Sequence, residues 1–259
     1  AATAQTTDLA IGQWDSFLPF NSSQYVTQSD TDIFYSTGQG LLRVAKDGSE
    51  IERITKVEGL SGVGLRILGY NKAAETLIVV YDSGVIDLIK EETITTLLNI
   101  AESQIITGAK IIYDILPVTQ DTTYLAGNFG ISILNVTTDK FLSTTKTPIP
   151  VFSVAIFNEV IYAGTEEGVY AVNLNSGINI ADFNNWTFLG SEEGFRALYT
   201  ARHLATFDDK LYLEVNDSIF SYNGTMLSFV HENENSAVEY ISADGEYLIV
   251  GYNRVNDLG

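Results

Sequence analysis

The feature that most constrains this chain is a turn that returns at near-regular intervals. Residues 33–44 (IFYSTGQGLLRV), 77–88 (LIVVYDSGVIDL), 123–134 (TYLAGNFGISIL) and 161–172 (IYAGTEEGVYAV) align so that Gly40, Gly84, Gly130 and Gly168 share one place. A fifth copy, residues 211–222 (LYLEVNDSIFSY), has Ser218 there, and a sixth begins at residues 247–253 (YLIVGYN). The successive spacings are 44, 46, 38 and 50 residues. A period of about 40 to 50 residues is the mark of propellers and solenoids. The aligned glycine is expected to end a three-residue hairpin loop with positive φ, which glycine adopts without a Cβ clash.

Each unit holds more than this hairpin. Before it lies an apolar run ending in a turn: LRILGYN, YDILPVTQD, VFSVAIFN, ARHLATFDD and VEYISADG. After it come the turns KDG, KEE, TTD, NSG and NG, each followed by a run able to form a strand. Four antiparallel strands at this period, without a useful 3.6-residue pattern between them, describe propeller blades. The fold class expected is therefore all-β: a β-propeller of four-stranded antiparallel blades, about six of them in residues 1–259. These form a single domain, read as the N-terminal part of a longer chain and of a ring with as many as seven blades. A strand at residues 11–17 (IGQWDSF) is expected to pack on the outside of the ring where it closes.

The stretch TKVEGLSGV, which begins at Thr55, then falls between the first and second blades. Gly59 is expected to turn the chain sharply there, and Leu60 to plug between neighbouring sheets. Taken alone it would be any polar loop with one glycine; its place in the repeat gives it this role.

Bulk composition agrees with a packed β protein. Of 259 residues, 45% are apolar and 18% charged, with only four Pro. The balance of 33 acidic against 14 basic residues gives a formal net charge of −19. With no basic cluster to track phosphates, nucleic acid is a poor partner, although a local basic pocket could still hold one anionic ligand. No cysteine is present, so neither a disulfide nor a thiolate nucleophile is available. No apolar run approaches the roughly 20 residues of a membrane-spanning helix. Ala2 and Ala4 fit the small-residue end of a processed export leader as well as they fit chance.

Signs of catalysis are few. The two histidines, His203 and His231, lie 28 residues apart with no cysteine near them, so a metal site is not expected. His203 reads as an interfacial residue and His231 as a solvated turn residue. The carboxylate pairs Asp208–Asp209, Glu166–Glu167 and Glu192–Glu193 fall at turns, and adjacent strand residues face opposite ways, so none makes a dyad alone. QDTT (from Gln120) and ENEN (from Glu232) offer oxygen ligands but lack the spacing of a calcium loop. No elbow, phosphate-binding loop or dinucleotide fingerprint occurs. No catalytic residue, cofactor or metal is assigned. Among 14 Tyr, 13 Phe and two Trp, most are expected to pack blade on blade. Trp186, in the loop-rich insertion at residues 179–195, is expected to be the exposed one and is the candidate for binding a glycan ring.

The linker, with Thr55, Gly59, Leu60 and Ser61 in the form Thr-x-x-x-Gly-Leu-Ser, resembles the two-component regulator propeller repeat. The opening GQWDSFLPFNSSQYV, with Trp14, Leu18, Pro19, Phe20 and Asn21, is similar to the N-terminal propellers of a surface component of the type IX secretion system. That resemblance implies a non-enzymatic, surface-exposed subunit of an attachment complex, built from propellers and a C-terminal β-sandwich. Its implied partners are the other attachment-complex proteins and the sortase that joins cargo to anionic lipopolysaccharide. The same repeat also builds periplasmic domains of hybrid two-component receptors that sense oligosaccharides, the alternative function. A propeller lyase or glycosidase would instead need clustered carboxylates or a His-Tyr pair at the channel mouth.

Overall fold

The computed structural model describes residue 20 and residues 22–195, 199–243 and 245–254. These form five four-stranded antiparallel sheets and one two-stranded sheet. Blade I comprises β1 (Tyr25–Gln28), β2 (Asp32–Ser36), β3 (Leu41–Ala45) and β4 (Ile51–Ile54). Blade II holds β5 (Leu65–Asn71), β6 (Thr76–Tyr81), β7 (Ile86–Lys90) and β8 (Thr93–Leu97). Blade III holds β9 (Ile112–Thr119), β10 (Thr122–Gly127), β11 (Gly130–Asn135) and β12 (Lys140–Lys146). Blade IV holds β13 (Val151–Phe157), β14 (Val160–Thr165), β15 (Val169–Asn173) and the short β16 (Thr187–Phe188). Blade V holds β17 (Leu204–Phe207), β18 (Lys210–Val215), β19 (Ser218–Tyr222) and β20 (Leu227–Glu232). The sixth sheet pairs β21 (Ser236–Ala243) with β22 (Leu248–Arg254).

The sheets are fanned around an axis. Each first strand touches the next: β1 meets β5, β5 meets β9, β9 meets β13, β13 meets β17 and β17 meets β21. First strands therefore line the centre, and each fourth strand is the outer one. Among the described residues, no substantial strand contact joins the first sheet to the last. The proposed closing strand at residues 11–17, with Trp14, lies outside the described residues.

The core is divided among the blade boundaries. Strand β6 is buried along its whole length because its two faces serve different neighbours. Leu77, Val79 and Tyr81 pack with Phe34, Leu41 and Ile54 of blade I, whereas Ile78 and Val80 pack with Ile112 and Leu125 of blade III. This is the two-residue alternation of a strand sandwiched between sheets, and it explains the unbroken apolar run. Comparable clusters join blade III to IV and blade IV to V.

The recurrent turn keeps its place but not one geometry. Gly84, Gly130 and Gly168 have φ of 80°, 115° and 133°. Gly40 does not lie in the left-handed region, which corrects the expectation for the first blade. Glycine is needed there for room, since a Cβ would stand 2.9 Å from the Ile54 carbonyl oxygen. In blade V the bend closes in two residues, Val215 pairing with Ser218. Asn216 and Asp217 take the positive φ values, 50° and 62°, as a type I′ turn requires.

Candidate functional site

The linkers between blades and the turns joining second to third strands lie at one end of the propeller. The first linker shows how that end is held. Glu58 Oε2 accepts hydrogen bonds from the Thr55 backbone N–H and hydroxyl at 2.7 and 2.6 Å. Gly59 turns the chain at φ 117°, and Leu60 is buried among blade I and blade II side chains. Ser61 then donates its N–H and its hydroxyl to the carboxylate of Asp87, which also receives the Tyr81 and Thr96 hydroxyls. Burial and the Asp87 charge raise the Tyr81 pKa, so the phenol stays a donor.

At the same end, the heads of four consecutive inner strands carry large side chains in equivalent places. They are Arg66, Tyr113 and Phe152, each the second residue of β5, β9 and β13, and Arg202, just before β17. The Arg66 guanidinium lies 5.5 Å from the centre of the Tyr113 ring. Tyr113 meets Phe152 edge to face at 5.4 Å and 71°. Arg202 lies over Phe152 at 5.2 Å. These distances are within the range of cation–π attraction. The result is a continuous row of cation, ring, ring and cation crossing blades II to V, partly open to solvent.

Beneath the row lie carboxylates with committed oxygens. Asp114 accepts from the Ser153 hydroxyl at 2.8 Å and from the backbone N–H groups of Val154 and Ile115. The Ser153 oxygen in turn accepts from the Leu204 N–H at 3.2 Å, tying blades III, IV and V together. Glu214 accepts from the N–H groups of Arg202 and Asp217 at 3.0 and 2.9 Å. Burial raises the pKa of both carboxylates. His203 is pushed down to about 4, first by burial and then by Arg202.

Trp186, the expected glycan platform, is buried at 8% exposure. This corrects the expectation that it is exposed. Its indole N–H donates to the Ile180 carbonyl at 2.9 Å, and its ring joins the cluster between blades III and IV. The insertion curls back through a short 3₁₀ turn, Phe183–Asn185, and covers its own tryptophan. Asp208–Asp209 and Glu166–Glu167 sit in separate hairpin turns, and Glu192–Glu193 in another 3₁₀ turn. His231 lies on the outer strand β20, edge-on to Tyr252 at 6.0 Å. Among the described residues, no three His, Asp or Glu side chains group as a metal site would require.

The row itself escaped the sequence reading. Its signal was present in the aligned runs LRILGYN, YDILPVTQD, VFSVAIFN and ARHLATFDD, whose heads each carry arginine or an aromatic. Nothing in a single run distinguishes that residue from any other strand position.

Fold and row together define a β-propeller with a cationic, aromatic patch at its linker end. The family described as the N-terminal β-propeller domain of PorZ, a type IX secretion component, matches residues 33–187, and the chain belongs to that family. Among solved structures it is similar to PorZ of Porphyromonas gingivalis, described as an essential bacterial surface component of the type IX secretion system. The TM-score is 0.75 at 19% identity, covering 88% of this chain and 30% of that one. It is also similar to the extracellular domain of BT4673 from B. thetaiotaomicron, described in one structure as a one-component system and in another as a hybrid two-component system. TM-scores there are 0.65 and 0.64 at 15% and 14% identity, covering 92% of this chain and 33% of each of those. The chain thus spans about a third of the length of the solved structures it matches. No curated protein sequence matches it.

Proposed function

We infer that residues 1–259 act as one non-enzymatic propeller unit in the surface attachment complex of a type IX secretion system. There it serves the sortase that joins cargo to anionic lipopolysaccharide. Its setting is exported, at the cell surface or outer membrane, and among the described residues no helix is long and apolar enough to cross a membrane. The partners are the sortase, the other attachment proteins and a glycan or lipopolysaccharide. With a net charge of −19, nucleic acid is not among them. Family membership supports the setting; the observation that carries a binding role is the row of Arg66, Tyr113, Phe152 and Arg202. Asp82 at the row is paired with Arg66, and the buried carboxylates beside it support a binder over a catalyst, because Asp114 and Glu214 spend their oxygens on backbone and serine donors. Neither is free to reach a substrate proton.

The similarity to the BT4673 extracellular domain favours one second reading, a periplasmic propeller that senses oligosaccharides. That reading requires a membrane-spanning helix and a kinase after Gly259 in the same gene. The non-enzymatic reading is tested by incubating the chain with a panel of polysaccharides and assaying new reducing ends. No release is expected, and cleavage of any member overturns it. Association with the purified sortase and attachment proteins, measured by surface plasmon resonance, tests the scaffold role. Binding is expected, and its absence for all of them overturns that role.

A further inference from the structure

The geometry points to the cleft between the β5–β6 and β9–β10 turns as a docking site for a basic polypeptide segment that seats one aliphatic or aromatic side chain there. The site goes beyond the functions proposed above. It lies at the end of the propeller opposite the linkers, shares no residue with the cation–ring row, and stands or falls apart from those readings.

The cleft has a volume of about 400 Å³ and is lined by Tyr70, Asn71, Lys72 and Ala73 of blade II and by Pro117 and Val118 of blade III. Its walls are fixed in advance. Asn71, which is buried, donates through Nδ2 to the Thr119 carbonyl at 2.8 Å and to the Thr123 hydroxyl at 3.0 Å, and its Oδ1 accepts from the Ala74 N–H at 3.0 Å. One side chain thus ties the two turns together across the blade boundary. Tyr70 is braced by Phe34, stacked on it at 6.0 Å and 19°. In β9 the pairing skips Val118, because Thr122 faces Thr119 while Thr123 faces Pro117. Such a bulge re-aims a side chain, and Val118 is left 44% exposed. Beside it stands a proline whose nitrogen has no hydrogen to offer a partner strand. This wall therefore offers apolar contact rather than backbone pairing.

Charge decides what fits. The turn from first to second strand carries a carboxylate in each of the four-stranded blades: Asp30, Glu75, Asp121, Glu159 and the pair Asp208–Asp209, all exposed. Among the described residues only Asp30 of these is in an ion pair, with Lys72 at 2.6 Å, and that contact also answers the one cation lining the cleft. The Tyr70 phenol registers the field, its pKa raised by burial first and then by Glu75 and Asp30. A nucleic acid, an anionic lipid surface or an acidic glycan is repelled by such a rim. A lone metal ion gains nothing from a cleft whose lining includes no carboxylate. The carboxylates stand on separate blades, so the matching positive charges must be spread along a chain, with an apolar group between them. A basic polypeptide segment has that form: the seated side chain supplies affinity, and the flanking charges supply steering.

Calorimetry on the 259-residue chain tests this with short peptides that carry phenylalanine, leucine or serine at the centre and lysine and arginine on either side. A phenylalanine peptide flanked by glutamates is the counterpart of opposite charge. The phenylalanine and leucine peptides are expected to bind at least about ten-fold more tightly than the serine peptide. Their affinity should fall as salt is added, and the acidic peptide should not bind. Ala73→Arg, which fills the cleft from an exposed position with bulk and like charge, should lower the affinity about ten-fold or more at an unchanged melting temperature. Val118→Ser should weaken the phenylalanine peptide several-fold and leave the serine peptide unaltered. Glu75→Gln combined with Asp121→Asn should weaken all the basic peptides alike and flatten their salt dependence. Glu192→Gln, the same kind of charge change at the linker end, should leave binding unaltered. A serine peptide that binds as tightly as the other two reduces this face to diffuse charge attraction and overturns the site. So does an Ala73→Arg variant that binds as well as the parent, or a failure of both the phenylalanine and the leucine peptides to bind.

Discussion

Blade I and blade II share an apolar cluster but are locked at the linker by buried polar contacts, whereas the linker side of the boundary between blades IV and V is held by a run of aromatic rings. At the first boundary the linker carries its own hydrogen-bonding residues, and Ser61 hands two donors to Asp87, a fully buried carboxylate that among the described residues forms no ion pair. At the second, Phe188, Phe195 and Tyr199 meet Tyr222 and Tyr162 in a chain of ring contacts between 5.2 and 6.2 Å. The Tyr199 hydroxyl accepts from the Val169 N–H at 3.1 Å and donates to the Leu189 carbonyl at 3.2 Å. Both boundaries must stop one sheet sliding on the next. The difference shows that a propeller needs each boundary to be specific, not that all be alike.

The comparison is broken most directly at Tyr199. Truncating it to alanine should cost about 4 kcal/mol, the scale of emptying a buried aromatic site. Tyr199→Phe should cost only about 1 kcal/mol, because it removes two hydrogen bonds and keeps the ring. Urea denaturation midpoints measure both. If the two variants are equally damaging, the boundary is held by the hydroxyl and the contrast with Asp87 disappears.

At Asp87 the ranking should invert, with chemistry mattering more than volume. Asp87→Asn hardly changes shape, yet it brings an amide N–H₂ into a shell made of donors, leaving buried hydrogens without acceptors. A loss of about 3 kcal/mol is expected from those unsatisfied groups, read in the same denaturation experiment. A near-neutral Asn variant would mean that Ser61, Tyr81 and Thr96 find other acceptors and that the linker is not locked through this carboxylate.

The two boundaries also differ in how legible they are. The turn at Gly59 and the plug at Leu60 follow from their place in the repeat, whereas the hydrogen bonds of Glu58 and Ser61 appear only in the fold. The aromatic boundary is assembled from residues far apart in the chain, and only the fold brings them together. The same reason separates Gly84, Gly130 and Gly168, whose positive φ was readable, from the turns at Asn158–Glu159, Asp208–Asp209 and Asn216–Asp217. In those turns both residues adopt positive φ without any glycine, and glycine was the signal sought. Trp186 misled because a long loop-rich insertion reads as exposed. Its hydrogen bond to Ile180, six residues away, folds the segment onto itself, which spacing alone cannot reveal. The cation–ring row was the least legible feature, since it is one residue per blade and exists only across four of them.

A further expected effect is a pH response at the head of blade V. His203 precedes β17, and its folded pKa is lowered from 6.5 to about 4, by burial first and by Arg202 second, with Glu239 opposing. A lowered histidine pKa means the fold prefers the neutral ring. Above pH 6.5 both folded and unfolded forms are neutral, and the contribution is fully present. As pH falls from 6.5 towards 4 the unfolded chain takes up a proton that the folded one refuses, so stability is lost across that window, and below it no more is lost. Allowing for partial exposure, the loss should be about 2 kcal/mol. The neighbouring Glu214 works in the opposite sense: its raised pKa favours the protonated fold, a contribution lost as pH rises through the folded value. The histidine must therefore be isolated by difference. Stability of the parent minus that of His203→Gln, followed by urea denaturation from pH 7.5 to 3.5, should fall between pH 6.5 and 4, and the imidazole should titrate near 4 by NMR. A flat difference with a midpoint near 6.5 would place His203 in water and remove this pH-sensitive contact from blade V.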